Sequence, residues 1–464
     1  MNALRFRLPT AALAFVLVSL GQSPANSCPF CNAVSQTLRQ EMAAMDAVVI
    51  ATSTQSDVTR NKESGEVMMK VVKVLKGDGL IEEGQEVRAI YYGDVSIGRR
   101  FMLSGVDPPE LQWSCLPVTK RSEDYIDRLT QLPDDDLARL KFFYKHLQDE
   151  ESMLARDAYD EFAIAPYDEI KKLSPDIDHD QLLEWIGEPE MATDRKRLFL
   201  TMLGVCGDEK DLPFLEKMLR STQKSSRGGL DALIACYLTL AGEKGLPLIN
   251  ELFLANKQAP YADTYAAIMA VRFHGTEGGV IPRSALVESL HHVLDRTDLA
   301  DLVIPDLARW SDWSQIDRLS KLFMEAQEDN NWVRVPVVNY LRACPLPEAK
   351  AAIKKLEEVD PESVRRANTF FSIPIPARDT GSSSSSVRRN RRGSVARLDN
   401  KASLLPVGKL TADTTPIGAA TPAVNLPLSM NPWRLVYVMG LALATLMIAQ
   451  FLLLSGGSQA ARSS

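Results

Sequence analysis

Apolar side chains follow different rhythms in different parts of the chain. Between residues 45 and 118, short apolar runs alternate with polar positions and stop at Gly, Asp or Pro. These are AVVIAT within Ala47–Thr54, EVMMKVVKVL over Glu66–Leu75, VRAIYY over Val87–Tyr92, RFMLS over Arg100–Ser104, and Leu111–Val118. Runs of that kind, closed by turn residues, predict five strands of a small barrel or sandwich. A helix is expected just before them, because Val34, Leu38, Met42 and Met45 within Asn32–Met45 sit at helical spacing. Residues 134–160 turn helical and strongly charged.

From about residue 192 to 359 the pattern repeats. Leu212-Pro213, Leu246-Pro247 and Ile281-Pro282 recur at spacings of 34 and 35; Ile316 follows 35 later and Ala349 another 33. Proline loses nothing at the first helical position, where its missing N–H has no partner in any case. Each of these points therefore predicts the start of a second helix in a pair. Polar turns precede four of them: Gly207-Asp208-Glu209-Lys210, Gly242-Glu243-Lys244, Gly275-Thr276-Glu277 and Ser311-Asp312. The stripes Leu212/Leu215/Met218/Leu219, Leu246/Ile249/Leu252/Phe253 and Ile316/Leu319/Leu322/Phe323 give each second helix one apolar face. No pair can bury such a face alone, so five stacked pairs are expected to share one core.

Two further apolar runs address the chain to a membrane. Ala11–Leu20 follows Arg5 and Arg7 and precedes small residues, which predicts a secretory signal over residues 1–27, cleaved after Ser27 or Ala25. Leu435–Leu454 is an uncharged run of 20 residues with Trp433 and Tyr437 at one edge. Twenty helical residues reach about 30 Å, enough for one crossing, so a transmembrane helix is expected over 433–454, with a short tail at 455–464. Residues 366–432 read as a flexible Ser/Pro/Arg-rich linker. Its cluster Arg388, Arg389, Arg391, Arg392 and Arg397 lies too far from the span to set orientation, since that bias acts within about 15–20 residues. The signal therefore places the main body outside the cytoplasm.

Charge sharpens this picture. The net charge is −7, but residues 1–27 carry +2, 371–434 carry +6 and 435–464 carry +1, leaving −16 on residues 28–370. An acidic body argues against nucleic acid as a partner. Six cysteines and five histidines are too few for a disulfide-built scaffold or a multi-histidine metal centre. Asp176, Asp178 and Asp180 lack the glycine and glutamate of a calcium loop and read instead as caps for a helix starting near His179. Cys206, Cys236 and Cys344 lie among apolar neighbours and read as core. Neither G-x-S-x-G, H-E-x-x-H nor G-x-x-x-x-G-K occurs in the sequence.

The repeats over about 150–360 resemble a HEAT-type helical-repeat protein, whose stacks usually bind other proteins through a concave face. Their spacing is shorter than the usual 40–47. Cys28-Pro29-Phe30-Cys31 resembles the C-P-x-C site of glutaredoxins and thiol–disulfide oxidoreductases, where the first cysteine sits at a helix N-terminus that lowers its pKa. No βαβ unit of thioredoxin type accompanies it. Residues 28–130 also resemble secreted netrin-like OB domains, including the tissue inhibitors of metalloproteinases, in which early cysteines are stapled to later ones. That resemblance implies a bridge from Cys115 to Cys28 or Cys31, and an N-terminal Cys28 amine able to meet a protease zinc.

The expected protein is multidomain α+β: an OB-like β module over 28–130, a HEAT-like α-solenoid over 131–365, a linker and one membrane span of the bacterial envelope type. The expected role is a non-catalytic, membrane-anchored, extracytoplasmic scaffold that binds an envelope or secreted protein. No catalytic residue, metal, cofactor or small-molecule substrate is expected. The alternatives are a tethered thiol oxidoreductase using Cys28 and Cys31, and a metalloprotease-inhibitor-like module.

Overall fold

The computed structural model describes residues 27–33, 35–60, 63–223, 225–327 and 331–370. The chain divides into two compact units, Met1–Thr380 and Gly381–Ser464, and every described element belongs to the first. The expected signal apart from Ser27, the linker beyond residue 370, the span Leu435–Leu454 and the tail lie outside the described residues.

Helix α1 (Leu38–Ala44) leads into β1 (Ala47–Ser53), β2 (Glu66–Lys76), β3 (Glu86–Ile90), β4 (Arg100–Val106) and β5 (Gln112–Pro117). All five strands are antiparallel to their neighbours, in the order β3-β2-β1-β4-β5. The sheet curls into a half-barrel, bringing edge strand β3 against edge strand β5.

The central strand explains its own sequence. Ala47, Val49 and Ala51 face an inner core with Val67, Met69, Phe101 and Leu103. Val48 and Ile50, pointing the other way, join Met102 in a second core that continues through the helices to Ala367. A strand covered on both faces reads as an unbroken apolar run rather than an alternating one, which is why AVVIA contains no polar residue.

Sixteen α-helices follow the sheet among the described residues. Helix α2 (Lys120–Leu129) is tied to the sheet by Arg100–Glu123 at 2.6 Å and Lys73–Asp127 at 2.9 Å. Next come α3 (Asp136–Tyr144), α4 (Ser152–Ile164), α5 (Tyr167–Lys172), α6 (His179–Gly187), α7 (Thr193–Cys206), α8 (Leu212–Leu219), α9 (Leu230–Ala241) and α10 (Leu246–Ile249). The chain continues with α11 (Tyr261–Phe273), α12 (Arg283–His291), α13 (Ile304–Arg309), α14 (Ile316–Glu325), α15 (Arg334–Ala343), α16 (Pro347–Val359) and α17 (Pro361–Phe370). Helix α17 runs past residue 366, where the linker was expected to begin.

Helix α7 packs on α9, α9 on α11, α13 on α15, and α15 on α17, while α8 backs α9 and α14 lies against α15 and α16. The expected stripe is buried at Leu215, Met218 and Leu219 in α8 and along all four positions of α14. Pro213 and Pro247 stand in the first turns of α8 and α10, and Pro282 comes one residue earlier, as the cap of α12. Prolines also open α13 and α16. Asp178 caps α6 by accepting the Gln181 N–H at 3.1 Å, so the Asp-rich turn closes a helix end.

Successive helical elements are cross-tied by ion pairs between residues 34 to 36 apart in the chain. The Arg197 Nε donates to Asp231 at 2.9 Å, Arg227 Nη2 to Asp263 at 2.6 Å and Arg272 Nε to Asp306 at 2.7 Å, at separations of 34, 36 and 34 residues. The stretch Leu230–Leu254 is long and apolar enough to cross a membrane, but it is mostly buried as a core element of the stack.

Candidate functional site: a disulfide turn and a strap held by three carboxylates

The described residues between Ser27 and α1 form neither helix nor strand, apart from an isolated bridge of Ser27 with Pro166. The helix expected from Asn32 begins only at Leu38. Its start is fixed by Thr37, whose side chain accepts the Gln40 N–H while Gln40 reaches back to the Thr37 N–H. Upstream, Ser35 gives both its N–H and its hydroxyl to Asp160 at 3.2 and 2.7 Å. Side chain to backbone bonding of that kind competes with helix formation.

Cys28 and Cys31 are joined to each other by a disulfide across a turn, with the Cys31 N–H donating to the Cys28 carbonyl at 3.3 Å. Both are buried, at 3% and 8% exposure. Between them Phe30 sets its ring edge-on against Phe273, centroids 5.1 Å apart, and Tyr167 approaches Phe273 at 5.5 Å. The turn is thereby docked onto the end of α11, far along the chain.

The strap beyond the turn lies on α4. Asp157, Asp160 and Glu161 stand at i, i+3 and i+4, which puts them on one helical face. Asp157 accepts the Leu38 N–H at 2.7 Å and the Tyr125 hydroxyl at 2.7 Å; Asp160 holds Ser35; Glu161 takes Arg39 at 3.1 Å. Tyr159 donates to the Asn32 carbonyl at 3.3 Å. All three carboxylates are buried. The signal in the sequence is RDAYDEF, three acids on one face of a helix whose other positions are mostly apolar.

The bridge implied by the netrin-like resemblance is not the one present. Cys115, on β5, is a free, half-buried thiol packed against the inner core of the half-barrel, whereas the Cys28–Cys31 pair belongs to the core on the other side of the sheet. Burial pushes the Cys115 thiol up to about 11, which leaves it protonated and a poor nucleophile. Nor does Cys28 stand at a helix N-terminus, the feature that activates the first cysteine of a redox pair. Cys236 and Cys344 are buried and Cys206 half-buried. No group of three or more His, Cys, Asp or Glu side chains able to hold a metal ion occurs among the described residues.

Two buried titratable groups give this region a pH signature. Burial raises the Asp157 carboxyl to about 6, partly offset by its bonds from Leu38 and Tyr125. Burial lowers His274, next to Phe273, to about 4; its Nε2–H donates to the Ala235 carbonyl at 3.0 Å. Asp157 binds its proton more readily when folded, so its contribution to stability grows as pH falls from about 6 towards 4. His274 does the reverse: the unfolded chain protonates it near 6.5, so stability held by the neutral ring is lost over the same window. Each swing is about 3 kcal/mol, and the two run in opposite directions. The Asp157→Asn variant is expected to lose the Asp157 contribution alone, so that its Tm falls relative to that of the native chain as pH drops from about 6 to 4.

Comparison with protein-family models, with curated proteins and with solved structures finds no match to this chain.

Proposed function

We propose that the chain is a membrane-tethered, extracytoplasmic scaffold whose HEAT-like helical stack presents a protein-binding surface, with an OB-like module fused to it. Support for the repeat reading comes from the Arg–Asp ties at separations of 34 and 36 residues. The strand order, with β1 between β2 and β4 and β3 approaching β5, fits a partly open five-stranded barrel. A buried disulfide suits an oxidising compartment.

The observation that carries the binding role is an exposed aromatic pair at the start of α11. Tyr261 and Tyr265 stack in parallel 6.0 Å apart, and both are more than one-third exposed. Tyrosine is enriched at protein interfaces because it supplies a large contact area and a polar tip at little entropic cost. A membrane-impermeant crosslinker applied to intact cells is expected to join the protein to a second envelope protein. Replacing Tyr261 and Tyr265 by alanine should then lower that yield severalfold. A protein that reacts only after lysis, or a yield indifferent to both tyrosines, would reject the reading.

The thiol oxidoreductase alternative has the Cys28–Cys31 bond in its favour. Against it stands the docked turn, because an attacking thiolate must reach a sulfur and both cysteines are buried. Burial of Cys28 likewise gives no support to a zinc-binding inhibitor.

A further inference from the structure

A cavity of about 510 Å3 opens between the end of α6, the start of α7, helix α8 and the loop that follows it. Its walls differ in character. Phe214 and Met218 supply an apolar side; Lys196, Lys217 and Arg220 supply charge, and Thr222, Ser225 and Ser226 supply hydroxyls. Among the described residues no Asp or Glu lines it. Arg220 has an acidic neighbour outside the cavity, Glu251 at 3.7 Å, in an exposed pair that is worth little in water.

Lys196 is the informative residue. It is 1% exposed, yet its ammonium meets only two neutral oxygens, the Ser225 carbonyl at 3.0 Å and the Glu188 carbonyl at 3.3 Å. The Glu188 carboxylate acts on it only through space, without a hydrogen bond; a buried cation without a bonded counter-ion is expensive, and an ammonium has three N–H donors, so one remains without a hydrogen-bond partner among the described residues. Burial pulls its pKa below the ordinary lysine range. A basic pocket on an acidic body is also a local reversal of the field, which concentrates anions there.

We propose that this cavity binds a small soluble oxyanion carried on an apolar body, such as an aryl or alkyl phosphate. The anion completes the coordination of Lys196 within reach of Lys217 and Arg220, and the body lies on Phe214 and Met218. The volume falls in the range of small-molecule sites, about 300–1,000 Å3. The site is independent of the scaffold reading, and either can fail without the other.

Titration calorimetry of the full-length protein in detergent, with phenyl phosphate, inorganic phosphate and phenol as probes, tests it. Phenyl phosphate is expected to bind more tightly than phosphate, and phenol not to bind. The surface variant Lys217→Glu/Arg220→Glu should weaken phenyl phosphate by about tenfold or more, and Lys196→Met should abolish binding. Because Lys196 also ties two loops, the surface variant carries the test if Lys196→Met misfolds. Absence of phenyl phosphate binding, equal binding of phenol, phosphate binding as tight as phenyl phosphate, or an affinity unchanged in the surface variant would each overturn the proposal.

Discussion

Replacing Arg272 by leucine is expected to lower the stability of the protein by about 3–5 kcal/mol, far more than any exposed ion pair can account for. Arg272 donates its Nε to Asp306 at 2.7 Å and its Nη2 to the Leu302 carbonyl at 2.6 Å, tying α11 to α13. Asp306 is 1% exposed, so removing the guanidinium strands a buried carboxylate. Arg309 also reaches Asp306, from one turn along the same helix, and will hold the loss towards the lower end of the range. The exposed pair Arg88–Glu66, at 3.6 Å, is the control: Arg88→Leu is expected to cost less than about 1 kcal/mol. Replacing Arg272 and Asp306 together by leucine should recover much of the deficit, because no charge is then left buried. Urea midpoints of the four proteins decide the matter. Equal shifts for Arg272→Leu and Arg88→Leu would show that the cross-tie is incidental to the stack.

The same tie shows what the sequence could and could not disclose. Proline and the apolar stripes announced α8, α10 and α14 because both act within a few residues, through fixed φ and a 3.6-residue period. The five strands were legible for a similar reason. The start of α1 was not, because an apolar period cannot tell that Ser35 will be claimed by Asp160 of a helix formed more than a hundred residues later. Nor was the partner of Cys28 legible, since spacing does not determine connectivity. The Arg–Asp spacings of 34 and 36 were in principle readable, but each is meaningful only once the packing has fixed which helices touch. Lys196 was invisible for the same reason: a lysine in a helix reads as surface until the loop after α8 folds over it.

Phe30→Ala is expected to loosen the N-terminal strap more than removal of the disulfide it sits in. The two effects can be weighed beforehand. A bridge between Cys28 and Cys31 closes a loop of four residues, which in the chain-entropy model restricts the unfolded chain by about 2 kcal/mol. Truncating a buried phenylalanine costs about 3–5 kcal/mol in lost transfer energy and residual cavity, and Phe30 is buried against Phe273. The Leu38 amide reports locally, because it donates to buried Asp157 and is released to solvent when the strap lifts. Its hydrogen exchange is expected to accelerate by about a hundredfold or more in Phe30→Ala and by about thirtyfold in Cys28→Ser/Cys31→Ser, the factors that correspond to such energies. The order of the two variants matters more than either number. If the serine pair frees Leu38 more than the alanine does, the bond rather than the ring holds the clasp, and a reductant in the compartment would then be able to lift the strap off α4.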